Sequence, residues 1–157
     1  MAAGVDLSPV AIESARQEYS NCVFSVDNIL NLHCLEKYDC VFIRSCSLYN
    51  VVDLETAQAA TDVFMSYLKP GGTFIFVYNT KLNKASQAQQ GPWRYHSVEE
   101  IDRHFARRNA RTYFSSRYDT HLLGERAFNM VVSAGNVLAS RVLGVGGDIV
   151  TFVQKEK

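Results

Sequence analysis

The chain has 157 residues, 47% of them hydrophobic and 20% charged, with Lys+Arg and Asp+Glu balanced at 16 each. That length and composition fit a single globular domain, residues 1–157, with a buried core. The zero net charge removes the electrostatic case for nucleic acid or an anionic membrane surface as the main partner. No apolar run is long enough to span a bilayer, and MAAGVDLSP lacks the charged and apolar regions of a secretory signal. A cytoplasmic protein with reduced thiols is expected. Cys22, Cys34, Cys40 and Cys46 show no CxxC spacing; Cys34 and Cys40, around a strand start, read as core thiols. His33 and Cys34 have no complement at a recognisable spacing, so no metal site is expected.

In chain order, AGVDL reads as a short buried strand ending in Asp6. Ser8 is the expected N-cap and Pro9 the first residue of a helix over 9–19, with Ala11, Ile12, Ala15 and Tyr19 on one face. CVFSV (22–26) is a second strand ending in Asp27, and YDCVFIR (38–44) a third ending in the polar RSCS. A helix over 53–68 carries an apolar stripe of Leu54, Ala57, Thr61, Phe64 and Leu68. KPGG (69–72) reads as a helix stop and tight turn that launches the strand TFIFVYN. Residues 81–96 read as a loop insertion. Ser97 and Glu100 fit a capping box for the next helix, and the basic run RHFARRNAR reads as that helix's solvated end. RTYFSSRYDTHLL is a strand, 125–142 a helical arm, and DIVTFVQKEK a closing strand.

Strands alternating with helices imply βαβ units and a mostly parallel sheet. In such sheets ligands bind beyond the carboxyl ends of the strands. Three successive strand ends are polar here: Asp6, then Asp27-Asn28, then Arg44-Ser45-Cys46-Ser47. A carboxylate there can accept both hydroxyls of a ribose. Asp27 or Asn28 can meet an adenine amine, with Leu7 and Ile29 as apolar walls. The bland reading of Asp6 is an Asx turn beside Ser8, and the spacing leaves both open.

The series GVDLSPVAIESAR, VFSVDNI, YDCVFIRSCSLYNV and LKPGGTFIFVYN resembles the Rossmann-like, class I S-adenosylmethionine-dependent methyltransferases over residues 3–79, and more loosely beyond. The resemblance implies an α/β three-layer sandwich with a mostly parallel sheet and an antiparallel C-terminal strand. It implies S-adenosylmethionine as cofactor and a small-molecule methyl acceptor. It places Asp6 on the ribose, Leu7 on the adenine, and Asp27 near the adenine amine with Asn28 and Ile29 following. Arg44 to Ser47, Ser45 among them, would border cofactor and substrate, and Trp93, Tyr95 and His96 would fall at the acceptor. In methyl transfer the protein mainly aligns and desolvates the reacting atoms. His96 is then the expected general base, with Tyr49 and Tyr95 orienting or stacking on the acceptor.

The family's first strand and its Gly-rich loop have no counterpart ahead of GVDLSP, so the first βα unit is expected to be missing. A truncated gene product, a permutation using RVLGVGGD, or a partner strand would each account for that. Exposed sheet edges of this kind recruit other chains, which makes a homodimer the expected assembly partner. The rival functions are a non-catalytic methyltransferase-like module and a nucleotide-binding dehydrogenase-like domain. Against the dehydrogenase stand LKPGG with its closing antiparallel strands, and the lack of a GxGxxG that follows a strand and opens a helix.

Overall fold

The structure is a computed structural model that describes residues 2–51, 53–80, 94–116 and 147–157. The chain divides into two compact units, Met1–Leu35 and Glu36–Lys157. Trp93 and the expected helical arm over 125–142 lie outside the described residues.

The first unit contains strand β1 (Ala3–Asp6), helix α1 (Pro9–Glu18) and strand β2 (Val23–Val26). The strands pair in parallel, from Ala3 opposite Val23 to Asp6 opposite Val26. Ser8 Oγ accepts the Ala11 N–H at 3.2 Å and Pro9 opens the helix, as the sequence predicts. The Arg16 guanidinium donates to the Phe24 carbonyl at 2.8 Å and ties helix to strand. The expected apolar face is only partly used: Ile12 is buried, while Ala11 and Tyr19 are exposed. Two strands about 4.8 Å apart are narrower than a helix about 10 Å across, so they cover only part of its face.

The second unit is built on a four-stranded sheet in the order β3 (Tyr38–Arg44), β4 (Leu68–Thr80), β6 (Gly147–Gln154), β5 (Ala110–Ser116). β3 and β4 are parallel; β6 runs antiparallel to both its neighbours. The helix expected over 53–68 is instead a 3₁₀ turn, Leu54–Ala57, followed by α2, Gln58–Ser66. The Asp53 side chain accepts the Glu55 N–H, and its carbonyl accepts the Thr56 hydroxyl, which tightens the first turn. All five residues of the predicted stripe are buried, Leu68 as the first residue of β4.

KPGG is not a turn before the strand but a bulge inside it. Two steps along β3, from Tyr38 to Cys40, face five along β4, from Leu68 to Thr73. Gly71 sits at φ +77°, and a Cβ on Gly72 would stand 2.9 Å from the Lys69 carbonyl oxygen. The bulge is held from β6's side: Gly71 N–H donates to the Lys155 carbonyl, and Lys155 N–H to the Gly72 carbonyl.

Alternation along β4 places Phe74, Phe76 and Tyr78 on one face, each almost fully buried. The Tyr49 ring lies 4.5 Å from Phe76 at a tilt, Phe64 of α2 lies 6.1 Å from Phe74, and Phe105 of α3 (Val98–Phe105) lies 5.2 Å from Phe76. Aromatic pairs at such separations contribute beyond their buried area. The predicted capping box of α3 is present, with Ser97 and Glu100 each bonding the other's backbone N–H. Cys34 is buried as expected, but Cys40 is exposed, because it shares the outward face of β3 with Phe42.

Candidate functional site

The sequence places its candidate residues at the carboxyl ends of parallel strands, and both parallel pairs end in polar loops. In the first unit Asp6 and Asp27 close adjacent strands, and the Asp27 N–H donates to the Asp6 carbonyl at 3.1 Å. The two carboxylates therefore leave neighbouring chains at one end of the pair. Asp6 Oδ1 accepts the Ser8 N–H at 2.7 Å, the Asx contact weighed from the sequence. That contact uses one lone pair of one oxygen, and a carboxylate has about four acceptor sites, so the turn and a hydroxyl ligand do not compete. Asp27 Oδ1 accepts the Asn28 N–H, and Asn28 Oδ1 accepts the Leu30 N–H to cap the 3₁₀ turn Ile29–Asn31. Asn28's carbonyl oxygen is thus engaged, while Asp27 keeps a free oxygen among the described contacts. Leu7 is 71% exposed and Ile29 half-buried.

In the second unit β3 stops abruptly at Ser45. Its N–H donates to the Val77 carbonyl at 3.1 Å, and its φ of +52° turns the chain out of the sheet. A non-glycine residue in the left-handed region is uncommon, and such strain concentrates at functional loops. Arg44 and Ser45 are exposed, Cys46 is half-buried, and burial pushes the Cys46 thiol up. A 3₁₀ turn, Ser47–Tyr49, follows.

Beside that turn lies a cluster that the sequence reading did not assemble. The Tyr78 hydroxyl, at the end of β4, accepts from Asn50 Nδ2 at 3.1 Å and from the His96 N–H at 3.0 Å. Asn50 Nδ2 also donates to the Arg94 carbonyl, and the Arg94 N–H returns to the Asn50 carbonyl. Burial pushes the Tyr78 phenol up to about 12. It therefore stays a neutral hydroxyl across the physiological range. Its position at the end of an otherwise apolar run was the available signal.

Two residues expected at the acceptor belong to the interior. His96 is 1% exposed, with Nε2 at 2.7 Å from the Val51 carbonyl. A carbonyl only accepts, so Nε2 carries the proton. Nδ1 faces Glu100 Oε2 at 3.6 Å, beyond hydrogen-bond reach. Burial pushes the Glu100 carboxyl up, but the Ser97 N–H and the Arg94 guanidinium outweigh it and hold it below its usual range. Tyr49 is fully buried, its hydroxyl 2.8 Å from Thr61 Oγ1, and desolvation raises its phenol. Both side chains are buried, His96 against the Val51 carbonyl and Tyr49 against Thr61 and Phe76. Tyr95 is half-buried and sits between the two anchored residues Arg94 and His96.

Among the described residues no group of three or more His, Cys, Asp or Glu could hold a metal ion. Nor is any described helix long and apolar enough to cross a membrane.

No curated protein sequence matches the chain. Solved structures match in fold. An N-methyltransferase, NodS, from Bradyrhizobium japonicum is 16% identical with a TM-score of 0.61, covering 99% of this chain and 73% of its own. The phosphoethanolamine N-methyltransferase 2 of Haemonchus contortus, solved with S-adenosyl-L-methionine, is 16% identical with a TM-score of 0.63, and the match spans 43% of its length. The [4+2]-cyclase SpnF is 14% identical with a TM-score of 0.62, over 98% of this chain and 65% of its own. These likenesses establish a Rossmann-like α/β fold. The family model described as "Methyltransferase domain" matches residues 1–126, and this chain belongs to that family.

Proposed function

We propose that the chain carries out, or forms part of a protein that carries out, methyl transfer from S-adenosylmethionine to a small-molecule acceptor in the cytoplasm. The observation that supports this reading most is the pair of carboxylates on adjacent parallel strand ends, Asp6 and Asp27, joined through the Asp27 N–H. In this reading Asp6 accepts the ribose hydroxyls and Leu7 packs on the adenine. Asp27 receives the adenine amine beside Asn28 and Ile29. Arg44 and Ser45 border the methionine and acceptor side, and Tyr95 contacts the acceptor. His96 and Tyr49 act as positioning residues: His96 pins the segment before α3 to Val51, and Tyr49 anchors the turn that follows Ser45. The chain's part in the chemistry is alignment and exclusion of water. Self-association through a sheet edge belongs to the same reading; sedimentation equilibrium reads it directly.

A second reading, a methyltransferase-like module without transfer chemistry, draws on the fold likeness to a cyclase, since a fold does not fix a reaction. Incubation with methyl-labelled S-adenosylmethionine and separate pools of amines, phenols and carboxylic acids distinguishes the two. Label in one pool supports methyl transfer. Bound cofactor with no label in any pool supports the non-catalytic reading.

A further inference from the structure

The loop that leaves β3 starts beside Val77, whose carbonyl takes the Ser45 N–H, and is pinned to the next residue of β4 by Asn50. Asn50 is buried, and its polar groups are spent on three different pieces of chain. Its N–H closes the Ser47–Tyr49 turn on the Ser47 carbonyl at 3.0 Å, which fixes where the side chain starts. The Arg94 carbonyl lies 3.1 Å from the amide end and can only accept, so the atom facing it is Nδ2. The second Nδ2 proton goes to the Tyr78 hydroxyl at 3.1 Å, and that oxygen also takes the His96 N–H at 3.0 Å. The Asn50 carbonyl accepts the Arg94 N–H at 2.9 Å. One residue thus joins the loop after β3, the end of β4 and the segment that leads into α3.

A buried amide with both protons bonded is held rigidly, because each lost bond leaves a desolvated partner behind. Other ties of the segment do not replace it. His96 Nε2 reaches Val51, on the same loop as Asn50, and the Ser97–Glu100 bonds stay within the first turn of α3. The backbone is therefore fixed at Arg94 and at His96, and Tyr95 stands between them. We propose that Asn50 is a positioning residue for the methyl acceptor: it sets Tyr95 by holding Arg94 directly and His96 through the Tyr78 hydroxyl, and itself touches neither acceptor nor cofactor. The role rests on the reading of Tyr95 as an acceptor contact. An acceptor must be aligned closely with the methyl group, so a small shift of its contact lowers the rate steeply.

The test compares the parent chain with Asn50→Ala, which removes both donors, and Asn50→Gln, which moves the amide by one methylene and serves where Asn50→Ala fails to fold. Hydrogen exchange followed by NMR reads the clasp: the Arg94 and His96 amides should exchange about tenfold faster, beyond any change at the Phe74 and Phe76 amides of β4. Methyl-labelled S-adenosylmethionine with a compound from the amine, phenol or carboxylic acid pool that takes label reads the role. There kcat/KM should fall about tenfold, while S-adenosylhomocysteine binds as it does to the parent. In a Tyr95→Ala background the same substitution should change kcat/KM by no more than about twofold, because the group it positions is gone. Equal falls in both backgrounds, parental kcat/KM, or unaltered exchange at Arg94 and His96 overturns the proposal and leaves methyl transfer standing. A parent chain that labels no pool overturns the transfer reading itself, and this role with it.

Discussion

His104 makes the stability of this protein depend on acidity in a direction and size that the geometry specifies. The imidazole is 2% exposed and both its nitrogens are committed. Thr61 donates its proton to the Ala57 carbonyl, so its Oγ1 accepts from Tyr49 and from His104 Nε2, at 2.8 and 2.9 Å. Nδ1 accepts from Gln58 Nε2 at 3.1 Å, and Gln58 Oε1 is taken by the Arg108 guanidinium. A second proton on the ring would meet an amide donor, with a cation behind it. Burial, and then the Arg108 charge, push the His104 imidazole from 6.5 down to about 4. The unfolded chain therefore binds this proton more readily than the folded one. Stability is complete above pH 6.5 and is lost as the pH falls toward 4. The shift corresponds to a total of about 3 kcal/mol, of which about 2 kcal/mol is lost by pH 5. Urea unfolding at pH 7.5, 6 and 5 measures it, with His104→Gln as the non-titrating reference. The variant should start less stable but lose about 2 kcal/mol less between pH 7.5 and 5. Equal pH slopes for the two proteins would refute the account of His104 as a buried neutral hub.

Three further substitutions test the framework around the site. Gly72→Ala drives a Cβ against the Lys69 and Asp39 carbonyl oxygens, at 2.9 and 3.2 Å. It should cost about 1–3 kcal/mol in urea unfolding, and an unchanged midpoint would contradict the bulge geometry. Tyr78→Phe leaves Asn50 Nδ2 and the His96 N–H without their shared acceptor. It should cost about 1–3 kcal/mol and speed hydrogen exchange at His96. Ser97→Ala removes one half of the capping box and should destabilise by about 1 kcal/mol, read as a lowered thermal midpoint.

Much of the local structure was readable from residue patterns because its causes are local. Ser8 with Pro9, and Ser97 with Glu100, carry their partners within four residues. The stripe Leu54, Ala57, Thr61, Phe64, Leu68 encodes a buried face even though its ends adopt a 3₁₀ turn and a strand. YDCVFIR became β3 with the predicted ends. What stayed hidden depends on distant partners. KPGG has the composition of a turn, and only the return of Lys155 from β6 makes it a bulge. His104 and Asn50 sit in polar contexts whose partners, Thr61 and Tyr78, lie tens of residues away. His96 and Tyr49 drew attention as polar aromatic groups near strand ends. Their burial comes from long-range packing, which periodicity does not show. Asp6 and Asp27 fall at the ends of β1 and β2, as the residue pattern places them.

Calorimetric titration of S-adenosylhomocysteine into the purified chain, beside Asp6→Ala and Asp27→Ala, tests the central claim most directly. The account predicts binding in the micromolar range that is lost in Asp6→Ala and weakened in Asp27→Ala. A folded chain that takes up no S-adenosylhomocysteine, or an Asp6→Ala variant that binds it as the parent does, would contradict the assignment of this strand-end edge to the cofactor.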